Sequence, residues 1–188
     1  MNLVIEMFAS GNEVKTVWRF EQWNKRDVKV SADQKVARGK TPLMGVLFAS
    51  RNVYSGFFKK NIPGPQKAVV KLVYGHNSPF VIGVVLDDPG FGEKLSEYKN
   101  AWVLKIEDKI KQIYARGILK NESANVKNIQ DGTEFIVTFT APRRILEIQI
   151  NGQSEFPPQV LDISEKELAL VRLILSLSPV QAVEIIDS

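Results

Sequence analysis

The residues that could carry out chemistry are few, and residue type alone excludes most classes of reaction. The 188-residue chain has no cysteine and one histidine, His76. Thiol nucleophiles, disulfides, iron–sulfur clusters and cysteine-ligated zinc all require cysteine, and three-histidine metal cages require more imidazoles. His76 stands between Gly75 and Asn77, a context typical of a turn. Any catalysis would therefore depend on carboxylates or lysines.

Carboxylates offer two candidate sites. Glu134 and Glu147 lie on neighbouring predicted strands, where paired acids could hydrolyse a glycosidic bond. Both alternate with apolar residues, so we expect them to face solvent as ordinary strand residues. Asp87, Asp88 and Glu93 share a loop and could bind calcium, but they lack the alternating spacing of an EF-hand. We therefore expect neither a metal site nor a catalytic site from these acids.

Two glycine-containing stretches are similar to parts of nucleotide-binding motifs. Gly39-Lys40-Thr41 matches the end of a P-loop, but Gln34 replaces the first glycine of that motif. Pro42 also prevents the helix that would hold the phosphate. Gly90-Phe91-Gly92 lacks the third glycine of a dinucleotide fingerprint. We interpret both stretches as loops between strands and expect no cofactor.

Charged and aromatic residues indicate whether the chain could bind nucleic acid or carbohydrate. The 25 basic and 21 acidic side chains give a net charge of +4, and they are interleaved along the chain, which does not favour nucleic-acid binding. Trp102 lies within an apolar strand and Trp18 on an alternating one, so both are predicted to be core residues. Trp23 lies beside Asn24 and Lys25, so it could be exposed and stack on a sugar. A lectin-like carbohydrate-binding module is therefore kept as an alternative.

Short runs with period-two alternation, bounded by Gly, Pro, Asn or Asp, dominate the chain and predict strands. The predicted strands are Leu3–Phe8, Val14–Phe20, Asp27–Val30, Leu43–Ala49, Ala68–Tyr74, Phe80–Leu86, Ala101–Ile106, Lys111–Ala115, Phe135–Thr140, Leu146–Ile150, Val171–Leu177 and Ala182–Ile186. The longest irregular stretches are predicted at Lys59–Gln66, Asp87–Asn100, Lys120–Asp131 and Gly152–Ser164. About a dozen short strands in one domain, residues 1–188, predict an all-β, two-layer antiparallel sandwich.

Two segments give more detailed predictions. Phe135–Thr140 and Leu146–Ile150 should form a hairpin, with Pro142 in its turn and a second tight turn at Asn151-Gly152. Ser164 to Glu167 matches a capping box and could start a helix, whereas the alternation after it favours a strand. We expect one helical turn followed by the strand Val171–Leu177.

The N-terminus lacks the basic region and long apolar run of a secretion signal, and no segment is long and apolar enough to cross a membrane. We therefore expect a soluble intracellular protein, in the cytoplasm or nucleus, without a membrane partner.

The order of several short phrases resembles that of a SPRY domain. Phe80-Val81-Ile82-Gly83-Val84-Val85 is similar to the family's "V-G-V" strand, and Asn100-Ala101-Trp102-Val103-Leu104 to its "W-x-L" strand. Ile145 to Gly152 stands for "L-x-F-x-x-N-G". The resemblance covers roughly Val14 to Ile186. Gly132-Thr133 departs from the family's Gly-Asp.

The resemblance implies a bent β-sandwich without catalytic apparatus that recognises a protein or short peptide through loops at one end. Many members are found beside ubiquitin-ligase elements, which other chains would have to supply here. By position, the resemblance assigns ligand binding to residues in three loops, namely Lys40, Thr41, Pro42, Phe91, Tyr98, Leu177 and Ser178. Pro42 matches the relatives' residue type most closely, and Tyr98 is an aromatic equivalent.

Overall fold

A computed structural model of the chain describes residues 18–21, 28–39, 51–86, 99–107, 110–124, 129–154 and 156–186, with the backbone only for 21 and 51–56. The predicted strands Leu3–Phe8 and Leu43–Ala49 lie outside the described residues, as do Trp23 and most of Val14–Phe20.

The described residues form short strands joined by turns. The strands are β1 Phe20–Glu21, β2 Val28–Val30, β3 Val36–Gly39, β4 Arg51–Phe57, β5 Gln66–Tyr74, β6 Phe80–Leu86, β7 Ala101–Glu107, β8 Ile110–Ala115, β9 Ile118–Ala124, β10 Glu134–Thr140, β11 Ile145–Ile150, β12 Gln153–Ser154, β13 Gln159–Val160, β14 Val171–Leu177 and β15 Ala182–Ile186. Two 3₁₀ turns, Ala141–Arg143 and Glu167–Leu170, precede β11 and β14.

The strands form two antiparallel sheets. One contains seven strands in the order β1-β4-β14-β6-β7-β8-β9. The other contains eight, in the order β12-β11-β10-β5-β15-β3-β2, with β13 also paired to β11. The inner faces of both sheets supply one apolar core, as the buried alternate residues Phe135, Val137 and Phe139 of β10 illustrate. The expected all-β two-layer sandwich is confirmed.

The predicted hairpin is confirmed residue by residue. Phe135 pairs with Ile150 and Thr140 with Ile145, and Pro142 lies in the 3₁₀ turn between the two strands. Asn151 and Gly152 have φ of 49° and 76°, and β12 begins at the next residue. The Asn-Gly pair therefore makes the tight turn that its positive-φ tolerance predicts.

The ambiguous segment before β14 contains the predicted helical turn and strand. The Ser164 amide donates to Glu167 Oε2 at 2.6 Å, and the Glu167 amide donates to Ser164 Oγ at 3.3 Å. This hydrogen bonding lowers the pKa of Glu167. The alternation along β14 predicts one exposed face. Instead, Arg172, Ile174 and Ser176 on that face are buried, as are the core-facing residues. Both faces of β14 are therefore covered.

Two predicted irregular stretches are wrong in part. Lys120–Asp131 contains most of β9, which continues to Ala124, and Gly152–Ser164 contains the short strands β12 and β13. The side chains of β9 are almost all exposed, so β9 lacks the alternation by which a half-buried strand is predicted. Among the described residues, no helix is long and apolar enough to span a membrane.

Candidate functional site

The turn between β14 and β15 lies at one end of the sandwich, where it contacts two other strand ends. The Gly39 amide at the end of β3 donates to Gln181 O at 2.9 Å. A Cβ on Gly39 would lie 2.2 Å from Ser178 O, so the backbones are in close contact. Residues 40–42 follow Gly39 directly and lie outside the described residues. The chain therefore enters the predicted Lys40-Thr41-Pro42 segment beside the predicted Leu177-Ser178 turn.

Gln181 holds this end of the sandwich together. Its side chain is fully buried. Its Oε1 accepts a hydrogen bond from the Ser178 amide at 2.8 Å, and its Nε2 donates to Gly75 O and Ser78 O at 3.1 and 3.0 Å. One amide thereby joins the β14–β15 turn to the β5–β6 turn. Because all three hydrogen bonds are to backbone groups, the two turns are fixed relative to each other.

His76 attaches a third loop to the same end. Its Nδ1 lies 2.9 Å from Asp131 Oδ1, and its backbone amide donates to the same oxygen at 3.4 Å. The hydrogen bond with His76 lowers the pKa of Asp131 below its ordinary value of 3.8. His76 is thus a turn residue, as its neighbours predict, and within the described residues it makes a specific contact with the loop before β10.

The surface of this end carries two exposed apolar side chains. Tyr74 is 39% exposed and Val180 is 53% exposed, and the backbone at Gly75 lies close to Val180 O. Neither residue is among those that the sequence predicts for ligand binding. In the sequence, Val180 could have been identified as an apolar residue in the turn between Pro179 and Gln181. Tyr74 could have been identified as a tyrosine that directly precedes the turn glycine Gly75.

The predicted binding residues fall into three groups. Leu177 is buried in the core, and Ser178 is 7% exposed, with a buried hydroxyl that has no hydrogen-bond partner among the described residues. Lys40, Thr41 and Pro42 lie outside the described residues but follow Gly39. Phe91 and Tyr98 also lie outside them, and their contribution stays a prediction.

The strands that flank Phe91 and Tyr98 approach the opposite end of the sheet from Leu177. In the antiparallel pair of β6 and β14, Leu86 lies opposite Val171, while Val81 lies opposite Ser176. The Leu86 amide donates to Asn100 O at 2.9 Å, which fixes both ends of the loop there. The two ends of such a strand are about 20 Å apart. The described residues therefore bring together two of the three predicted loops at their flanks.

The alternative sites from the sequence have clear structural positions. Trp18 and Trp102 are buried, as predicted for core residues. Glu134 lies opposite Lys71, and Glu147 lies opposite Thr138 of the same strand as Glu134. The two acids are thus four residues apart along β10, or about 13 Å, farther than the carboxyl separations of glycosidases.

Comparison with known proteins shows the fold. No family model and no curated protein matches the sequence. The PSpry domain of TRIM65 superposes with a TM-score of 0.69 over 91% of this chain and 92% of that chain, at 10% identity. This chain has the SPRY fold. The SPRY domain of human HERC1 matches at 14% identity and a TM-score of 0.55, over 85% of this chain and 92% of that one.

A third SPRY-like neighbour is the NHR1 domain of Drosophila melanogaster neuralized, at 12% identity and a TM-score of 0.56, over 91% of this chain and 98% of that one. The matches confirm the SPRY-like architecture that the ordered phrases predicted.

Proposed function

We propose that the chain is a protein-recognition module that captures a short peptide segment of its partner. Three features support this: the fold shared with SPRY domains, loops fixed by buried hydrogen bonds, and exposed apolar side chains on those loops. SPRY domains are protein-interaction modules. The partner, and any ubiquitin-ligase context, would be supplied by other chains.

We place the recognition surface at the end of the sandwich that carries Tyr74 and Val180, with residues 40–42 beside it. The observation that carries this choice is the Gln181 amide, which joins the turns bearing Tyr74 and Val180. A fixed turn loses little conformational entropy when a ligand binds, so apolar contacts on it convert efficiently into affinity. Tyrosine is also a frequent energetic anchor in interfaces.

A display experiment tests this surface. A phage-displayed library of random short peptides is selected on the immobilised full chain, and enriched peptides are measured by calorimetry against the wild type, Tyr74→Ala and Val180→Asp. Both substitutions should weaken binding about tenfold or more, because each removes or charges a contact in the centre of the surface.

Leu170→Asp is the matched control. Leu170 is also an exposed apolar residue, 41% exposed, but it lies beside Val171 at the other end of the sheet. We expect Leu170→Asp to bind like the wild type. Loss of binding in Leu170→Asp alone would place the site at the end flanking Phe91 and Tyr98, and failure to enrich any peptide would contradict peptide recognition itself.

A further inference from the structure

A polar groove lies on the outer face of the eight-stranded sheet, at the end where the β4–β5 loop and the β10–β11 turn meet, opposite the end that carries Tyr74. It is an open depression of about 490 Å³, lined by Pro63 and Pro65 of the β4–β5 loop and by polar side chains of β5, β10, β11 and the β10–β11 turn. This volume is within the usual range of ligand sites, about 300–1,000 Å³. The two prolines form one wall, and Arg143, in the turn between β10 and β11, borders the end of the groove.

The strand register arranges the floor of the groove. Thr138 lies opposite Lys67 on one side and Glu147 on the other. Because neighbouring strands are about 4.8 Å apart, Lys67 and Glu147 start about 10 Å from each other across the row. Neither residue has an ion-pair partner among the described residues, and the same holds for Arg143. The sheet thus presents an acid and two cations that form no ion pair with one another in the described part of the chain.

The remaining groups on the floor also lack partners in the described part of the chain. Thr138 and Thr140 offer hydroxyls and Gln149 offers an amide, and none of these side chains makes an internal hydrogen bond. All three are half-buried. Strand residues of this kind can each donate and accept, so the floor is a fixed array of hydrogen-bonding groups facing open space.

The position on a sheet face restricts the class of ligand. The backbone groups of β5, β10 and β11 are already used in the sheet, so an added peptide strand could not pair with them here. Only side chains can recognise the ligand. A polyhydroxylated ligand suits such an array, because each hydroxyl both donates and accepts, and Glu147 can only accept when ionised.

The two cations add a requirement for negative charge. A guanidinium binds a planar carboxylate with two parallel hydrogen bonds, so Arg143 fits a carboxylate-bearing ligand. Lys67, on the far side of the floor, can meet a second anionic group. We propose that the groove binds an acidic oligosaccharide, with a uronic acid carboxylate on Arg143 and sugar hydroxyls on Glu147 and the threonines. This site is separate from the peptide surface and does not depend on it.

The test uses oligogalacturonate as the probe and its methyl ester as the uncharged counterpart. Binding to the full chain is measured by calorimetry for the wild type, Arg143→Gln and Glu147→Gln. We expect saturable binding of oligogalacturonate that the methyl ester lacks. Arg143→Gln and Glu147→Gln should each weaken it by about tenfold, because each loses a charge-assisted hydrogen bond.

Glu147→Gln separates a saccharide site from a general anion patch. If Glu147 accepts sugar hydroxyls, its loss weakens binding. If the groove only attracts negative charge, removing this acid strengthens binding of oligogalacturonate and of single-stranded DNA alike, which would overturn the proposal. Absence of oligogalacturonate binding to the wild type would overturn it as well.

Glu134→Gln is the matched control, since Glu134 lies on the same sheet face but outside the groove. It should bind like the wild type, and equal weakening by Glu134→Gln would contradict the assigned position. Peptide capture measured on the same variants distinguishes the two proposals, because the groove substitutions should leave it unchanged.

Discussion

At the scale of single residues, Gln181 has the largest structural effect at the proposed recognition end. A buried amide must have its hydrogen bonds satisfied, and Gln181 satisfies them by joining Gly75, Ser78 and Ser178. If the amide is removed, the buried Ser178 amide and the partly buried carbonyls of Gly75 and Ser78 lose their partners. Leaving a buried polar group unpaired costs about 1–3 kcal/mol.

Replacing Gln181 with leucine should therefore lower the free energy of unfolding by about 2–3 kcal/mol, mainly through the buried Ser178 amide left unpaired. Guanidinium unfolding followed by circular dichroism measures this change. Gln159→Leu is the matched control. Among the described residues, the side chain of Gln159 makes one hydrogen bond, to Pro157 O at 2.8 Å. Gln159 lies half-buried in the two-residue edge strand β13, so loss of its amide should cost under about 1 kcal/mol. Equal costs for the two variants would show that Gln181 does not hold the turns.

At the scale of elements, β6 contains a glycine, Gly83, that its close approach to β7 requires. A Cβ on Gly83 would lie 2.2 Å from Trp102 O and 2.7 Å from the Cα of Val103, so β7 approaches β6 too closely for a side chain. The outer face around Gly83 is also buried, with Val81, Val85 and Ile174 packed together. In this chain, the glycine of the "V-G-V" phrase is therefore required by the packing of β6 against β7.

Gly83→Ala should destabilise the fold by about 1–3 kcal/mol or more, because the added methyl group meets backbone atoms that cannot move without disturbing the sheet. Thermal unfolding monitored by calorimetry measures the effect. Gly64→Ala is the matched control, since a Cβ there meets nothing within 4 Å and should change stability by less than about 0.5 kcal/mol. A stable Gly83→Ala variant would show that the two strands can separate at this point.

Elements with buried side chains, on one face or on both, could be predicted from the sequence, whereas exposed elements and long-range neighbours could not. The strands β6, β14 and β15 have the predicted bounds, because apolar runs and turn residues define them. β9 has exposed side chains and so no pattern. The relative position of loops depends on strand pairing: only the antiparallel register of β6 with β14 shows that the flanks of Phe91 and of Leu177 lie at opposite ends.

The candidate site shows the same limit. The Ser178 turn and the start of the Lys40 segment were predicted from the resemblance, and their flanks lie together. The groove was not predicted, because its floor combines side chains from three strands, and Thr138 becomes the neighbour of Lys67 and Glu147 only through register. Sequence alone identifies Glu147 as an outward-facing residue and says nothing about what stands beside it.

At the scale of the whole molecule, aromatic contacts join the two sheets into one core. Phe80 of the seven-stranded sheet and Phe135 of the eight-stranded sheet have ring centroids 4.7 Å apart. Phe58, which follows β4, lies 4.6 Å from Trp18 and 5.3 Å from Phe139 of β10. Since each sheet buries its apolar face only against the other, neither should remain folded when the other unfolds.

Two single-tryptophan variants can test whether the sheets unfold together. Trp102 lies in β7 of the seven-stranded sheet, and Trp18, just before β1, donates its Nε1 proton to Lys67 O of β5 at 2.7 Å, so Trp102 reports one sheet and Trp18 reports the contact between the two sheets. The variants W18F/W23F and W102F/W23F should each give a fluorescence midpoint that coincides with the circular dichroism midpoint of the same protein, as expected for a two-state unit. Adding Phe135→Ala should lower the free energy of unfolding by about 3–5 kcal/mol and shift both fluorescence midpoints together, because the cavity lies between the sheets. A midpoint that falls for Trp18 alone would mean that the contact between the sheets at Trp18 is lost before the rest of the sandwich unfolds, which would contradict a two-state unit.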